Sequence, residues 1–367
     1  MLKAREAVRT LKEYHPPLGD RDGLRLDFNE NTAGCSPRVL ERLRQLHGET
    51  LAHYPQRENG EQAVAAHFGI SPEELLLTNG TDEAIHLVCE TYLQPGDDAL
   101  IVVPTFAMFE IYAAATGARV VSIPAGPDFE FPTQAILALL TDHSDKNVRA
   151  TRLRLIAVAN PNNPTGTFVP VQDFVRMAEA APDAAILVDE AYFEFCGESM
   201  MPRWRELPNL FVTRTFSKAY GLAGLRIGVL TGHKEQMGVL RRASSPYNLN
   251  SVALECLPEA LADQAYVRDY VSQTIEGRRE LEAELAAWGI RYWPSRANFV
   301  LLHLGDNCAP FVRQMRARGI LVRDRSSDYG CEGCVRITVG LREHNQLLLG
   351  ALREVFAELG TRQQVAR

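Results

Sequence analysis

The chain has 367 residues, 46% of them hydrophobic and 23% charged, with a formal net charge of -7. That length exceeds what one hydrophobic core usually holds, so two domains are expected. The acidic balance gives no support to nucleic-acid binding. No apolar run reaches membrane-spanning length, and the first residues lack the apolar core of a signal peptide, which points to the cytoplasm and away from membranes.

Residues 1–30 read as an arm, because Tyr14-His15-Pro16-Pro17 cannot lie inside a helix: proline has no amide donor. A short alternating strand and polar turn, LRLDFNEN, follow. Ser36 then caps a helix with Pro37 at its first position. After a loop with Tyr54 beside Pro55, a helix is expected from about Glu61 to Phe68. The stretch ELLLTNGTDEAIHLVCETYL predicts a strand, a turn at Asn79-Gly80 and a helix starting near Thr81. Short apolar runs then alternate with helices: ALIVVP, ARVVSIP, RLRLIAVANP, AAILVDE, LFVTRTF and RIGVL are strands of a sheet covered on both faces. From about Pro246 a long helical region runs to Trp288, broken at Pro258. Strands NFVLLHL, GILVRD and CVRITVG follow, with helices near 310–318 and 343–359. The expected fold is α/β, a mostly parallel central sheet with helices on both faces plus a smaller α+β domain. The division is an arm over 1–30, a large domain over 31–245 and a small domain over 246–367.

The chemistry centres on Lys218. Only five lysines occur, and Lys218 alone follows a strand-like apolar run. Desolvating a lysine there lowers its pKa and makes it an amine nucleophile; the plainer alternative is a side chain that snorkels to solvent. Ligands of open α/β sheets bind beyond the carboxyl ends of the strands, and other telling residues fall at those ends. Gly80-Thr81-Asp82 opens a helix, which makes either an anion cradle or an ordinary cap, with Asp82 in a backbone or bridging role. The loop from Asn160 to Gly166 is a rigid platform for amide side chains, or simply a turn. Asp189 ends a buried strand and needs a cation, either an arginine or a ring nitrogen, and Tyr192 is near enough to bind the same ring. Thr215, Ser217 and Arg226 flank the lysine as a phosphate clamp. An amine, a phosphate pocket, a buried carboxylate, an amide and a phenol are what pyridoxal phosphate demands.

The strings NPNNPTG, VDEAY and TFSKAYGLAGLRIG resemble the fold-type I pyridoxal-phosphate aminotransferases, and within them the histidinol-phosphate branch most closely. NEN, YP, NGTDE, NFV and VRITVG fall in the matching order along nearly the whole chain. The resemblance implies that Lys218 is the Schiff-base lysine and proton shuttle, and that Asp189 keeps the pyridine nitrogen protonated. Asn163 and Tyr192 then bind the ring's 3-oxygen. Gly80, Thr81, Thr215, Ser217 and Arg226 hold the phosphate. Phe106 stacks on the ring where the family usually has tyrosine. Tyr54 reaches the partner subunit's cofactor, which implies a homodimer with shared active sites. Arg336 grips a substrate anion, and Arg323 and Tyr14 add a grip on a phosphate ester. The implied substrates are an amino donor and a keto acceptor, histidinol phosphate with 2-oxoglutarate first. Alternatives are an aromatic or other amino-acid aminotransferase, or a threonine-phosphate decarboxylase.

Seven cysteines are spread widely, and only Cys331 and Cys334 form a CxxC pair. They are either half of a zinc or redox site or two reduced thiols in a turn around Gly333. No second CxxC or His pair completes a ligand set, so no metal is expected. The segment 326–334 is longer than the histidinol-phosphate branch usually needs.

Overall fold

The computed structural model describes residues 2–13, 19, 21–141, 152–201 and 203–360. Tyr14 and the proline pair after it lie outside the described residues.

The arm's strand β1 (Leu24–Arg25) pairs in parallel with β11 (Ile320–Leu321), so this end of the arm belongs with the C-terminal part of the chain. Leu26 joins its core, beside Phe311 and Leu352. Near the start of the chain, by contrast, Arg5 donates to the Ala115 carbonyl, 3.0 Å away, at the end of the helix Met108–Thr116.

The central sheet holds β2 (Leu75–Thr78), β3 (Asp98–Val103), β4 (Arg119–Pro124), β5 (Leu153–Ala159), β6 (Ala185–Asp189), β7 (Leu210–Thr215) and β8 (Gly228–Gly232). Their order is β2-β8-β7-β6-β5-β3-β4. Pairing is parallel from β4 to β7, and β8 runs antiparallel to both its neighbours. The sheet is therefore mixed, and two antiparallel pairings in succession leave β2 pointing the same way as β7. The apolar runs are continuous because both faces are covered. Leu76, Ile101, Leu155 and Leu187 pack into one core; Leu100, Ile156, Ile186 and Val212 pack into another.

A second, antiparallel sheet has the order β12-β13-β10-β9, from β9 (Arg291–Trp293), β10 (Phe299–His303), β12 (Arg323–Asp324) and β13 (Cys334–Thr338). GILVRD is thus two short strands in two different sheets.

The helix expected over 61–68 runs Glu58–Phe68, and that near Thr81 runs Gly80–Tyr92. Pro258 does not break the helical region. It lies inside the helix Ser251–Ala262, and the break falls at Asp263. There the backbone leaves helical geometry, and the carboxylate accepts from the Tyr266 amide to cap the helix Gln264–Ala287. Among the described residues no helix is long and apolar enough to cross a membrane.

Candidate active site

Strand register assembles the site. Gly228 pairs with Thr78 on one side and Thr215 on the other, so the turn after β2, the approach to β8 and the turn after β7 meet at one edge. Asp189 pairs with Ala159 and Thr213, which sets the Asn160–Gly166 loop beside the same edge. A cavity of 560 Å³ opens there. Lys218, Asp189, Tyr192, Asn163, Thr81 and Asp82 line it, as do Phe106, Thr215, Ser217, Arg226, Arg323 and Arg336.

At Lys218 the Nζ donates to the Phe28 carbonyl at 3.0 Å. Burial, reinforced by the Arg336 charge, lowers its pKa to about 8. Asp189 is 5% exposed and accepts a hydrogen bond from the Thr213 hydroxyl at 3.0 Å. Burial raises it to about 7, and the charges that act on it, from Asp82 and Glu190, are both negative. It is a carboxylate placed for a cation that none of the described residues supplies.

Two close approaches shape the turn after β2. Gly80 has φ +72°, and a Cβ there would meet Arg226 Nη2 at 2.7 Å, so only glycine admits the guanidinium above the helix N-terminus. A Cβ on Gly228 would lie 2.9 Å from the Gly80 carbonyl carbon. Arg226 itself has φ 54°, a left-handed backbone unusual for a side chain of that size, and its Nη2 donates to Asp82 at 3.0 Å. Asp82 thus fixes the arginine. Thr215 Oγ1 accepts from the Ser217 amide at 3.1 Å, which leaves its hydroxyl proton for a ligand.

Asn163 Oδ1 accepts from Arg336 Nη1, which directs the amide's N–H donors elsewhere. Arg336 also donates to the Asp27 carbonyl at 2.7 Å, and burial lowers it to about 9. The Tyr192 hydroxyl accepts from Asn29 Nδ2 at 2.9 Å, and burial raises its pKa. Phe106 stands edge-on to Phe109. Arg323 lies over the Phe28 ring, 5.4 Å from its centroid.

Tyr54 is not brought to this cavity. It is 78% exposed and stacks at 4.5 Å on Tyr247, itself exposed. Sequence reasoning gave no role to Phe28 or Asn29. A backbone carbonyl acceptor leaves no side-chain signal, and for Asn29, buried with φ 53°, the only signal was its place in NEN. Ser327 and Asp328, from the longer segment 326–334, also line the cavity, as does Arg325 just before it. Cys331 and Cys334 are buried beside Trp293 and Leu301, with Gly333 at φ +70° between them. Taken together, the walls can hold a planar cationic ring that carries a phosphate and an amine-reactive carbonyl carbon, with room for an anionic substrate against the arginines.

A family model described as aminotransferase class I and II matches residues 21–352. The histidinol-phosphate aminotransferase of Moorella thermoacetica is 32% identical across 97% of this chain and 93% of its own. That of a Geobacillus species is 33% identical across 95% and 94%. Among solved structures, histidinol-phosphate aminotransferase from Sinorhizobium meliloti in complex with pyridoxal 5'-phosphate superposes with a TM-score of 0.85 at 27% identity, over 98% of this chain and 99% of that one. L-threonine-O-3-phosphate decarboxylase from Porphyromonas gingivalis superposes with a TM-score of 0.75 at 26% identity, over 91% and 99%.

Proposed function

The chain belongs to the aminotransferase class I and II family, and from that premise we propose that it moves an amino group from histidinol phosphate to 2-oxoglutarate with pyridoxal phosphate as cofactor. The observation that carries the reading is the placement of Arg323 and Arg336 in one cavity with Lys218 and Asp189. An amine-reactive centre and a grip for a phosphate ester are then within one substrate's length.

The residues fit the cofactor. Asp189 has no cation against it among the described residues, and a protonated ring nitrogen is one. Gly80, Thr81, Thr215, Ser217 and Arg226 offer amides, hydroxyls and a guanidinium to a phosphate. Asn163 and Tyr192 present an N–H and an O–H to the ring's edge, and Phe106 an apolar face. When bound, pyridoxal phosphate supplies an aldehyde for the amine and a ring that draws off electrons as the substrate's C–H bond breaks.

Lys218 does the proton work. With its pKa lowered to about 8, a useful fraction of the amine is neutral near physiological pH, able to act as nucleophile and base. The Phe28 carbonyl holds Nζ in place whenever the amine is free. Asp189, charged once a cation faces it, keeps that cation protonated. Arg336 orients the substrate by its anion while it fixes Asn163. Tyr54, exposed on its own chain, serves the cavity of a second copy, and Tyr14 adds a grip on the phosphate ester. The enzyme is accordingly a homodimer of the cytoplasm, each chain a large domain over 31–245 and a small one over 246–367.

The test is a half-reaction. Holoenzyme is mixed separately with histidinol phosphate, phenylalanine, glutamate or threonine phosphate, and the cofactor's visible absorbance is followed. Fast conversion with histidinol phosphate and slow conversion with phenylalanine is expected. Conversion by phenylalanine and glutamate alone would reassign the chain to a general aromatic aminotransferase. Release of carbon dioxide from threonine phosphate would make it a decarboxylase.

A further inference from the structure

The segment between β12 and β13 is a run of tight turns. Asp328 N donates to the Arg325 carbonyl at 2.9 Å, Cys331 N to the Asp328 carbonyl at 3.0 Å, and Cys334 N to the Cys331 carbonyl at 2.9 Å. Arg325 N returns to the Cys334 carbonyl at 2.9 Å, which closes the loop on itself. The two thiols are buried against Trp293 and Leu301, and Phe129 packs on the same cluster. The backbone is therefore held, and its polar side chains turn into the cavity: Arg325, Ser327 and Asp328 line it with Arg323 and Arg336.

These side chains make an unusual balance. Three guanidiniums, from Arg323, Arg325 and Arg336, stand on the strands and turn of this wall with one carboxylate, Asp328. Arg325 Nη2 is ion-paired to Asp328 Oδ2, and both side chains are mostly buried, 11% and 22% exposed. The Arg325 Nε–H has no hydrogen-bond partner among the described residues. The Arg325 charge acts on Arg336 as well, so the two cations share one field. A phosphate monoester is a dianion at neutral pH and takes more than one guanidinium, and three reach this wall.

We propose that Arg325 and Asp328 form an exchangeable pair that sets the enzyme's preference for phosphorylated substrates: Asp328 holds Arg325 while the cavity is empty, and the substrate's phosphate takes its place. This rests on the reading that the amino substrate carries a phosphate. Asp328 is the anion to be outcompeted. A phosphate dianion recruits Arg325 from it, whereas a monocarboxylate brings too little charge to do so. The turn pinned by Cys331 and Cys334 keeps Arg325 within reach of both.

The experiment compares histidinol phosphate with histidinol, which differ only in the phosphate, on wild-type holoenzyme and on Arg325→Gln and Asp328→Asn. Arg325→Gln is expected to cut the kcat/KM preference for the phosphorylated amine on the order of 10–100-fold, with glutamate changed less than about 3-fold. Asp328→Asn is expected to tighten inhibition of the holoenzyme by inorganic phosphate several-fold. Equal losses on both amines with Arg325→Gln, or phosphate inhibition unchanged in Asp328→Asn, would overturn the proposal. If Arg325→Gln does not fold, Asp328→Asn decides alone. If wild type ignores histidinol phosphate, the substrate reading fails, while phosphate inhibition still tests the pair.

Discussion

At the sheet end of the cavity, Asp189, Thr215 and the turns that carry Lys218 and Arg226 are set by strand register, and each is tied to a partner from another element. At the other end, Arg325 and Asp328 ride on a turn whose backbone is held by its own hydrogen bonds and two buried thiols, and they are tied to each other. The first construction suits chemistry, where a misplacement of an ångström is costly. The second suits choice among substrates, where side chains must exchange one anion for another. Lys218 and Asp189 should accordingly act on every substrate alike, and the arginines should act on some more than others.

The sharpest way to break this division is Lys218→Ala. Turnover with all amino donors should fall at least about 10⁴-fold, with loss of the covalently held cofactor's visible colour; a steady-state assay and an absorbance spectrum check both. A variant as active as wild type would remove the lysine from the chemistry.

Asp189→Asn comes next, with turnover down by roughly 10²–10³-fold on every donor. It has a second signature. Burial raises this carboxyl from the ordinary carboxylate range to about 7. Protonation is therefore favoured in the folded state, and its contribution to stability is present at low pH and lost as pH rises through about 7. The cofactor-free variant should be more stable than cofactor-free wild type at pH 8, by about 2–4 kcal/mol, and equal to it near pH 4. Thermal melts at the two pH values measure this. A variant less stable than wild type at pH 8 would mean that the carboxylate has a cation partner in the chain.

Arg323→Ala addresses the other end. It should weaken a phosphorylated substrate by about 2–4 kcal/mol more than glutamate, read from KM values for both. Equal losses would make this arginine structural and erase the contrast between the two ends. The smallest effect is expected from Asn29→Ala, which removes the donor to the Tyr192 hydroxyl. The lost hydrogen bond is worth about 1 kcal/mol, so kcat should drop less than about tenfold, by the same factor for every donor. Substrate-dependent losses in a kinetic panel would place Asn29 at the selective end instead.

The sheet end was also the legible end. Lys218, Asp189, Asn163 and Arg226 sit in strings where a strand stops and a turn residue begins, and strand periodicity can be read from apolar runs alone. What the sequence hid were contacts set by long-range register. The reversed direction of β8 follows from pairing, not from composition. The Phe28 carbonyl meets Lys218 on a stretch that β11 and β13 hold from far along the chain. Pro258 misled because proline weighs heavily as local punctuation, whereas Asp263, an ordinary residue by composition, stops the helix through its cap. Arg325 and Asp328 were unreadable for a different reason: their importance depends on where the CxxC turn folds back, and a turn's direction leaves no periodic trace.

Arg226 carries a lesson for anyone who re-engineers this chain. Its left-handed backbone costs about 1–2 kcal/mol that glycine would recover, so a library ranked by melting temperature would favour Arg226→Gly. The same change removes the guanidinium that Asp82 holds over Gly80. On the proposed reading, thermostability and cofactor retention pull in opposite directions at this one residue, and any stabilised variant should be screened for its cofactor before its melting point is believed.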